Sequence, residues 1–182
     1  MDAIGYYVAD PANNRLVYQE LDANSDEKSD TLIWLGLSSA SGKNQPVKKP
    51  VKVHEEEDTD LDGKIDILKW MLPNDFIALT QEDHDKDGYF ETTVYYNFKK
   101  QAVRSEIDTN FDGKADVILW QNRVEVDSDF DQRFDQYADT KSKLDGEARA
   151  KKKKDLQTLS KTESWFHNRK LIPPIYEVIV GR

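Results

Sequence analysis

Five short stretches of the chain carry carboxylate or carboxamide side chains at every second position. The fourth, DTNFDGKADVILW at residues 108–120, has four such side chains within nine residues and then an apolar run. Counted from the first Asp, positions 1, 3, 5 and 9 are Asp22, Asn24, Asp26, Asp30; Asp58, Asp60, Asp62, Asp66; Asp83, Asp85, Asp87, Glu91; Asp108, Asn110, Asp112, Asp116; and Asp127, Asp129, Asp131, Asp135. Agreement at these columns indicates an internal repeat.

Side-chain oxygens at alternate positions suit the binding of a hard cation. Ca²⁺ takes about six to eight oxygen ligands in irregular geometry, and in EF-hand loops position 7 adds a backbone carbonyl while position 6 is a glycine at the sharp turn. In the second, third and fourth loops, positions 6 and 7 are Gly63 and Lys64, Gly88 and Tyr89, and Gly113 and Lys114. These three loops are therefore predicted to bind Ca²⁺.

The first and fifth loops depart from this pattern at position 6. Glu27 and Gln132 replace the glycine there, so the turn would place a residue with a Cβ at positive φ, which is uncommon. Asn24 also removes one negative charge from the first loop. We expect weak or empty calcium sites in these two loops.

The segment after each loop differs from an EF-hand. Position 12, where that family has a bidentate Glu, holds Lys69, Val94 or Leu119 in the three best loops. Over residues 15–135 the loops resemble the D-x-D-x-D-G-x-x-D calcium loops of bacterial surface repeats and of thrombospondin type 3 repeats. Two residues before position 1 stands an acidic or amide residue, namely Glu20, Glu56, Gln81, Glu106 or Glu125. These upstream side chains either supply a missing ligand or form a ladder in solvent.

The segments between the loops are rich in β-branched and aromatic residues, which favour strands. The sequence predicts a mostly β protein: an antiparallel repeat meander with calcium loops between strands over residues 1–137, then a helical segment and a short terminal strand over 138–182. IYEVIV, residues 175–180, is the candidate strand. Because side chains alternate along a strand, Trp34, Trp70, Tyr95 and Trp120 at position 13 are expected to form an aromatic ladder across the sheet.

Composition limits the class of partner. The net charge of −9 argues against nucleic acid and anionic membranes, and no apolar stretch is long enough for membrane insertion. There is no cysteine, which excludes disulfides, thiol nucleophiles and thiolate metal sites. The four lysines at 151–154 are interpreted as a solvated helix face, with contact to an anionic lipid or polymer as the alternative.

We expect a calcium-binding structural or interaction module of an exported or surface bacterial protein, with a protein or glycan partner on the cell surface. Loops without the position-12 Glu belong to the affinity range of extracellular modules, about 10⁻⁴–10⁻³ M, which favours the periplasm, the cell surface or the medium. One rival is an adhesin or carbohydrate-binding domain with an exposed Trp and Tyr row. A metal-dependent hydrolase is the other, but no loop adds a base or nucleophile, so the chain is not expected to be an enzyme.

Overall fold

The computed structural model describes residues 2–8, 15–37, 50–72, 75–153 and 155–166, and it is mostly antiparallel β-sheet. The predicted fold class is confirmed: the described residues form twelve strands and one short helix, and the last of the twelve is a short strand after that helix. Two compact units divide the chain, residues 1–90 and 91–182. The predicted boundary at residue 137 stays a prediction, as does the strand over 175–180, which lies outside the described residues.

The first unit is a meander in which each strand pairs antiparallel with the next. Its strands are β1 (Asp2–Val8), β2 (Arg15–Asp22), β3 (Thr31–Leu37), β4 (Pro50–Glu57), β5 (Ile67–Leu72) and β6 (Phe76–Glu82). One face carries a row of stacked rings, Tyr6, Tyr18, Trp34, His54 and Trp70, with neighbouring centroids 4.8–5.3 Å apart. The ladder predicted from Trp34 and Trp70 is therefore present here, and it also includes residues of the strands that precede the loops.

The opposite face of the first unit holds a buried carboxylate. Glu55 is 4 % exposed and accepts hydrogen bonds from Lys52 and from Lys69, which also pairs with Glu57. Burial alone would raise the pKa of Glu55, but the hydrogen bonds, led by that of Lys52, outweigh it and lower the pKa from 4.5 to about 2. The charged form of Glu55 is thus stabilised by folding.

This shift gives a pH-dependent prediction for Glu55→Gln. A carboxyl whose pKa is lower in the folded state stabilises the fold above its unfolded pKa and loses that effect as the pH falls through the folded pKa. We expect the variant to unfold about 3 kcal/mol more easily than the parent at neutral pH. The difference should shrink between about pH 5 and pH 2 in urea melts. A difference that does not change with pH would contradict the assignment.

The second unit is also a meander of successive antiparallel pairs. Its elements are β7 (Thr92–Tyr96), β8 (Ala102–Ile107), β9 (Val117–Trp120), β10 (Arg123–Val126), β11 (Gln136–Asp139), α1 (Lys143–Lys152) and β12 (Gln157–Thr158). On one face Val117, Leu119, Val124 and Val126 pack with Ala150 of the helix. The opposite face buries Ile118, Phe134 and Leu159.

Helix α1 is shorter than the helical segment expected over the whole region after the last loop. It begins after Ser142, whose hydroxyl accepts the Asp145 N–H, and it ends at Lys153, whose φ of 46° is left-handed. Leu159 lies beyond the helix and is buried against the sheet. Leu144 is 76 % exposed and does not contribute to a core. No helix of the described residues is long and apolar enough to cross a membrane.

Candidate metal centres

Each acidic loop follows an even-numbered strand, so within each unit the loops lie at the same end of the strands. Backbone hydrogen bonds join position 9 of one loop to position 1 of the next. The Asp30 carbonyl accepts the Asp58 N–H at 2.8 Å, and the Asp66 carbonyl accepts the Asp83 N–H at 2.9 Å. In the second unit the Asp116 carbonyl accepts the Asp127 N–H at 2.8 Å. Positions 1 and 9 are therefore also the residues that join each loop to the next through the backbone.

All five loops share one backbone conformation. Position 4 has a φ of 62–67° in every loop, at Ser25, Leu61, Lys86, Phe111 and Phe130. Position 6 also has a positive φ, 86–95° at Gly63, Gly88 and Gly113 and 71° at both Glu27 and Gln132. The first and fifth loops thus adopt the same turn despite lacking the glycine. Position 4 was not singled out from the sequence, because its residue types differ from loop to loop.

Position 1 organises the interior of each loop through both of its carboxylate oxygens. In the fourth loop, Oδ1 of Asp108 accepts the Phe111 N–H at 2.8 Å and Oδ2 accepts the Gly113 N–H at 2.7 Å. Position 5 accepts the N–H of position 7 in the same way, as Asp112 does from Lys114 at 2.9 Å. Equivalent bonds recur in the second and third loops. The alternate oxygens are held by the local backbone.

Position 9 is bonded to position 2 in four loops, and its side chain is buried at Asp30, Asp66 and Asp116 and half-buried at Asp135. Oδ2 of Asp66 accepts both the N–H and the hydroxyl of Thr59, at 2.7 and 2.5 Å. Asp116 makes the same two contacts with Thr109, and Asp135 bonds both groups of Ser128. The position-2 hydroxyl was missed in the sequence, although Thr or Ser stands there in three of the five copies. It fixes the orientation of the last side-chain ligand.

Carboxylate oxygens converge in several of the loops. One oxygen from each of Asp58, Asp60 and Asp62 lies within 4.8 Å of the others. Those of Asp127, Asp129 and Asp131 are equally close, so the fifth loop gathers its oxygens as well as the second does. In the third loop Asp83 and Asp85 meet the same limit, while Glu91 begins the second unit. Asn110 supplies the amide oxygen at position 3 of the fourth loop and accepts the Asp112 N–H.

Lysines of neighbouring loops reach the second loop. The ammonium of Lys86 lies 2.5 Å from Oδ2 of Asp66 and 2.9 Å from the Thr59 hydroxyl. Burial alone would raise the pKa of Asp66, but the hydrogen bond from Lys86 outweighs it and lowers the pKa. Lys28 of the first loop lies against Gly63, where an added Cβ would be 2.8 Å from its ammonium. In the fifth loop, by contrast, burial raises the pKa of Asp127.

The upstream glutamates do not form a ladder in solvent. Glu56 lies 3.0 Å from the His54 ring, and Glu106 lies 2.7 Å from Arg104. Glu125 is fully buried and accepts hydrogen bonds from Arg123, Ser164 and the Trp165 N–H. The solvent alternative is therefore wrong for Glu125. The printed contacts of Glu56 are thus with a side chain of the first unit, and those of Glu106 and Glu125 are with residues of the second unit.

Position 6 yields a prediction that separates backbone strain from crowding. An added Cβ at Gly88 or Gly113 would have nothing within 4 Å, so the cost of alanine there is conformational. We expect Gly88→Ala and Gly113→Ala each to lower the free energy of unfolding by about 1–2 kcal/mol. Gln132→Gly, the reciprocal control, should cost nothing or stabilise in the same urea melts. Equal destabilisation by all three variants would show that position 6 is not the strained position.

Comparison with known proteins gives no family. No protein-family model matches the chain, and no curated protein does. A solved structure of accessory secretory proteins 1, 2 and 3 from Streptococcus pneumoniae aligns with 67 % of this chain at 15 % identity and a TM-score of 0.33. The chain spans 18 % of the length of that neighbour. At this TM-score the likeness supports no argument about fold or function.

Proposed function

We propose that the chain is a calcium-binding structural module of an exported or surface bacterial protein. The observation that supports this proposal is the common conformation of the five loops, each with oxygens at positions 1, 3, 5 and 9 around one turn. Ca²⁺ fits this set because it prefers oxygen ligands and tolerates irregular geometry. The three glycine-containing loops are the strongest proposed sites. The fifth loop, expected from the sequence to be weak or empty, is added because its carboxylates lie as close together as those of the second loop, and the first loop, with Asn24 and Glu27, is the weakest.

Repulsion between the loop carboxylates provides the driving force for calcium binding. In the second loop three carboxylates place oxygens within 4.8 Å of one another, and such like charges repel until a cation joins them. Cation binding and folding are then coupled, since the unfolded chain does not hold the oxygens together. Because positions 1 and 9 are bonded into the sheet edge, a bound ion ties neighbouring hairpins together.

A structural role fits these loops better than a sensor role. Sensor EF-hands change the angle between two helices when calcium binds, whereas these loops run directly from strand to strand. Affinities in the extracellular range of about 10⁻⁴–10⁻³ M are useful where calcium is millimolar, which supports a periplasmic, surface or secreted location.

The ring row of the first unit gives less support to the rival, a carbohydrate-binding adhesin. Its rings are tilted by 38–47° and contact one another, so the ring surface turned toward each neighbour is covered within the protein, while Tyr6 at the end of the row is 47 % exposed. Burial, aided by Glu20, raises the pKa of the Tyr18 hydroxyl to about 12. Residues of this kind support the sheet rather than a ligand.

Calorimetric titration of chelator-stripped protein with calcium tests the proposal, with far-UV circular dichroism at both end points. We expect at least three sites by stoichiometry and a strand signal that grows as they fill. The triple variant Asp58→Asn, Asp83→Asn, Asp108→Asn should lose the sites in the second, third and fourth loops. Asp75→Asn, outside the loops, should keep all calcium sites. Absence of heat together with a sheet already formed in chelator would refute the proposal.

Lys86 provides a specific test at the second loop. Its ammonium lies 2.5 Å from Oδ2 of Asp66, a ligand position of this loop, so it competes with or repels an incoming cation. We expect Lys86→Met to raise the calcium affinity of that loop about fivefold, which corresponds to about 1 kcal/mol between charges a few ångströms apart in water. Lys99→Met, in the turn after β7, makes the same charge change away from any loop and should leave the affinity unchanged. Equal effects of the two variants would show a general charge effect.

A further inference from the structure

Two bulky apolar side chains stand exposed at strained positions in the second unit. Phe111 and Phe130 occupy position 4 of the fourth and fifth loops, with φ of 63° and 62°, and are 53 % and 45 % exposed. The left-handed region is uncommon for residues with a Cβ and unfavourable for bulky ones. Asn or Gly would fit the same turn better and would expose no aromatic ring. The two phenylalanines place exposed aromatic surface on two loops of the second unit.

Basic residues lie beside Phe130. A recess of about 230 Å³ separates the fifth loop from helix α1, and apolar Ile107, Val117, Val126, Phe130 and Ala150 line it together with Lys151 and Lys153. Thr109, Asp116, Asp127 and Glu147 complete the lining. The side chains of Lys151, Lys152 and Lys153 are exposed at the C-terminal end of the helix. We call Phe111, Phe130 and Lys151–Lys153 the apolar–basic edge.

The charge of the protein is divided unequally between its two units. Residues 1–90 contain 9 Lys and Arg against 19 Asp and Glu, whereas residues 91–182 contain 17 against 16. The net charge of −9, which argued against an anionic surface as partner, therefore comes from the first unit. Calcium in the fourth and fifth loops would add two positive charges per ion to a unit that is already at +1.

We propose that the apolar–basic edge docks on the surface of an anionic phospholipid bilayer when the fourth and fifth loops hold calcium. This inference rests on the proposed calcium binding, because unneutralised loop carboxylates would repel the headgroups. The phenylalanines enter the boundary between headgroups and acyl chains, and the lysines contact anionic headgroups. Binding is peripheral, and the described residues stay at the bilayer surface in this arrangement.

Co-sedimentation of the full chain with vesicles tests the docking. Vesicles of phosphatidylcholine, alone or mixed with phosphatidylserine, are compared in calcium and in chelator. We expect binding to the mixed vesicles in calcium, with the partition coefficient reduced about tenfold by Phe111→Asn or Phe130→Asn. Lys151→Gln and Lys152→Gln should each reduce it about fivefold. Leu61→Asn is the matched control, since Leu61 occupies position 4 of a loop in the acidic unit, and it should bind normally.

Calcium calorimetry on the same samples separates the two proposals. A heat of calcium binding without vesicle binding overturns the docking and leaves the calcium proposal standing. Absence of a heat of calcium binding overturns both proposals. Equal binding to phosphatidylcholine alone, or equal losses in Leu61→Asn and Phe130→Asn, also overturns the docking. Asn tolerates the left-handed conformation, so the Asn variants should unfold at the same urea concentration as the parent or a higher one. A loss of vesicle binding in a folded variant that binds as many calcium ions as the parent is therefore a loss of contact.

Discussion

Calcium at about 10 mM will raise the free energy of unfolding of the chelator-stripped protein by about 4–8 kcal/mol if three loops bind in the extracellular range, since each site contributes about 1.4–2.7 kcal/mol at 10–100 times its Kd. The reason is linkage: the folded sheet gathers the loop oxygens and the unfolded chain does not. Urea melts followed by circular dichroism, with and without calcium, measure this change. It is the largest effect expected for this protein.

Two comparisons make this result specific. Magnesium should stabilise far less, because it demands near-octahedral geometry and gives up its water reluctantly. Asp58→Asn and Asp108→Asn should each remove the contribution of one site, while Asp75→Asn, which makes the same charge change outside the loops, should remove none. If magnesium and calcium stabilise equally, or if the three variants behave alike, the effect is general screening of negative charge.

Replacing Glu125 will cause the largest loss of stability of any single substitution in the second unit. Glu125 is fully buried and accepts hydrogen bonds from Arg123 at 2.8 Å, from the Ser164 hydroxyl at 2.6 Å and from the Trp165 N–H at 2.7 Å. Arg123 is itself 7 % exposed and lies over the rings of Tyr137 and Trp165. Glu125→Gln should lower the free energy of unfolding by about 3–5 kcal/mol, because it removes the buried counter-charge of the guanidinium and leaves it the carboxylate of Asp139, which lies 3.7 Å away and is 80 % exposed.

Glu106→Gln is the matched control for this prediction. Glu106 has the same position relative to the fourth loop that Glu125 has relative to the fifth, but burial raises its pKa despite the nearby Arg104. Its charged form is thus poorly stabilised, and removing the charge should cost little. Equilibrium urea unfolding in saturating calcium gives both values. Similar losses in the two variants would mean that Glu125 is not the centre of the buried network.

The strands and the loop positions could be predicted because both repeat. Alternation after each loop placed Trp34 and Trp70 on one face, and the structure pairs both with His54. His54, Tyr18 and Tyr6 were missed as members of the ring row, since they lie in strands before the loops and their residue types do not repeat. His54 is half-buried between two Trp rings.

The remainder depended on contacts between distant residues. The hydrogen bonds of Ser164 and Trp165 with Glu125 link positions about 40 residues apart, and no local pattern marks them. Helix α1 ends at a lysine in the left-handed conformation, which the run of four lysines does not reveal. The turn at Gln132 was expected to suffer from the missing glycine, yet the sheet on both sides of the loop imposes the same φ. Tertiary structure here overrides local preference.

The backbone bonds between position 9 of one loop and position 1 of the next also bear on how such a chain changes length. Successive good loops start 25 residues apart, at Asp58, Asp83 and Asp108, and each presents the same groups at the sheet edge. After duplication or deletion of one such module, a position-9 carbonyl would again accept a position-1 N–H, because each repeat contacts only its neighbours. Relatives that differ by whole modules would then differ in the length of the sheet by fixed steps, while the backbone hydrogen bond between successive loops stays the same.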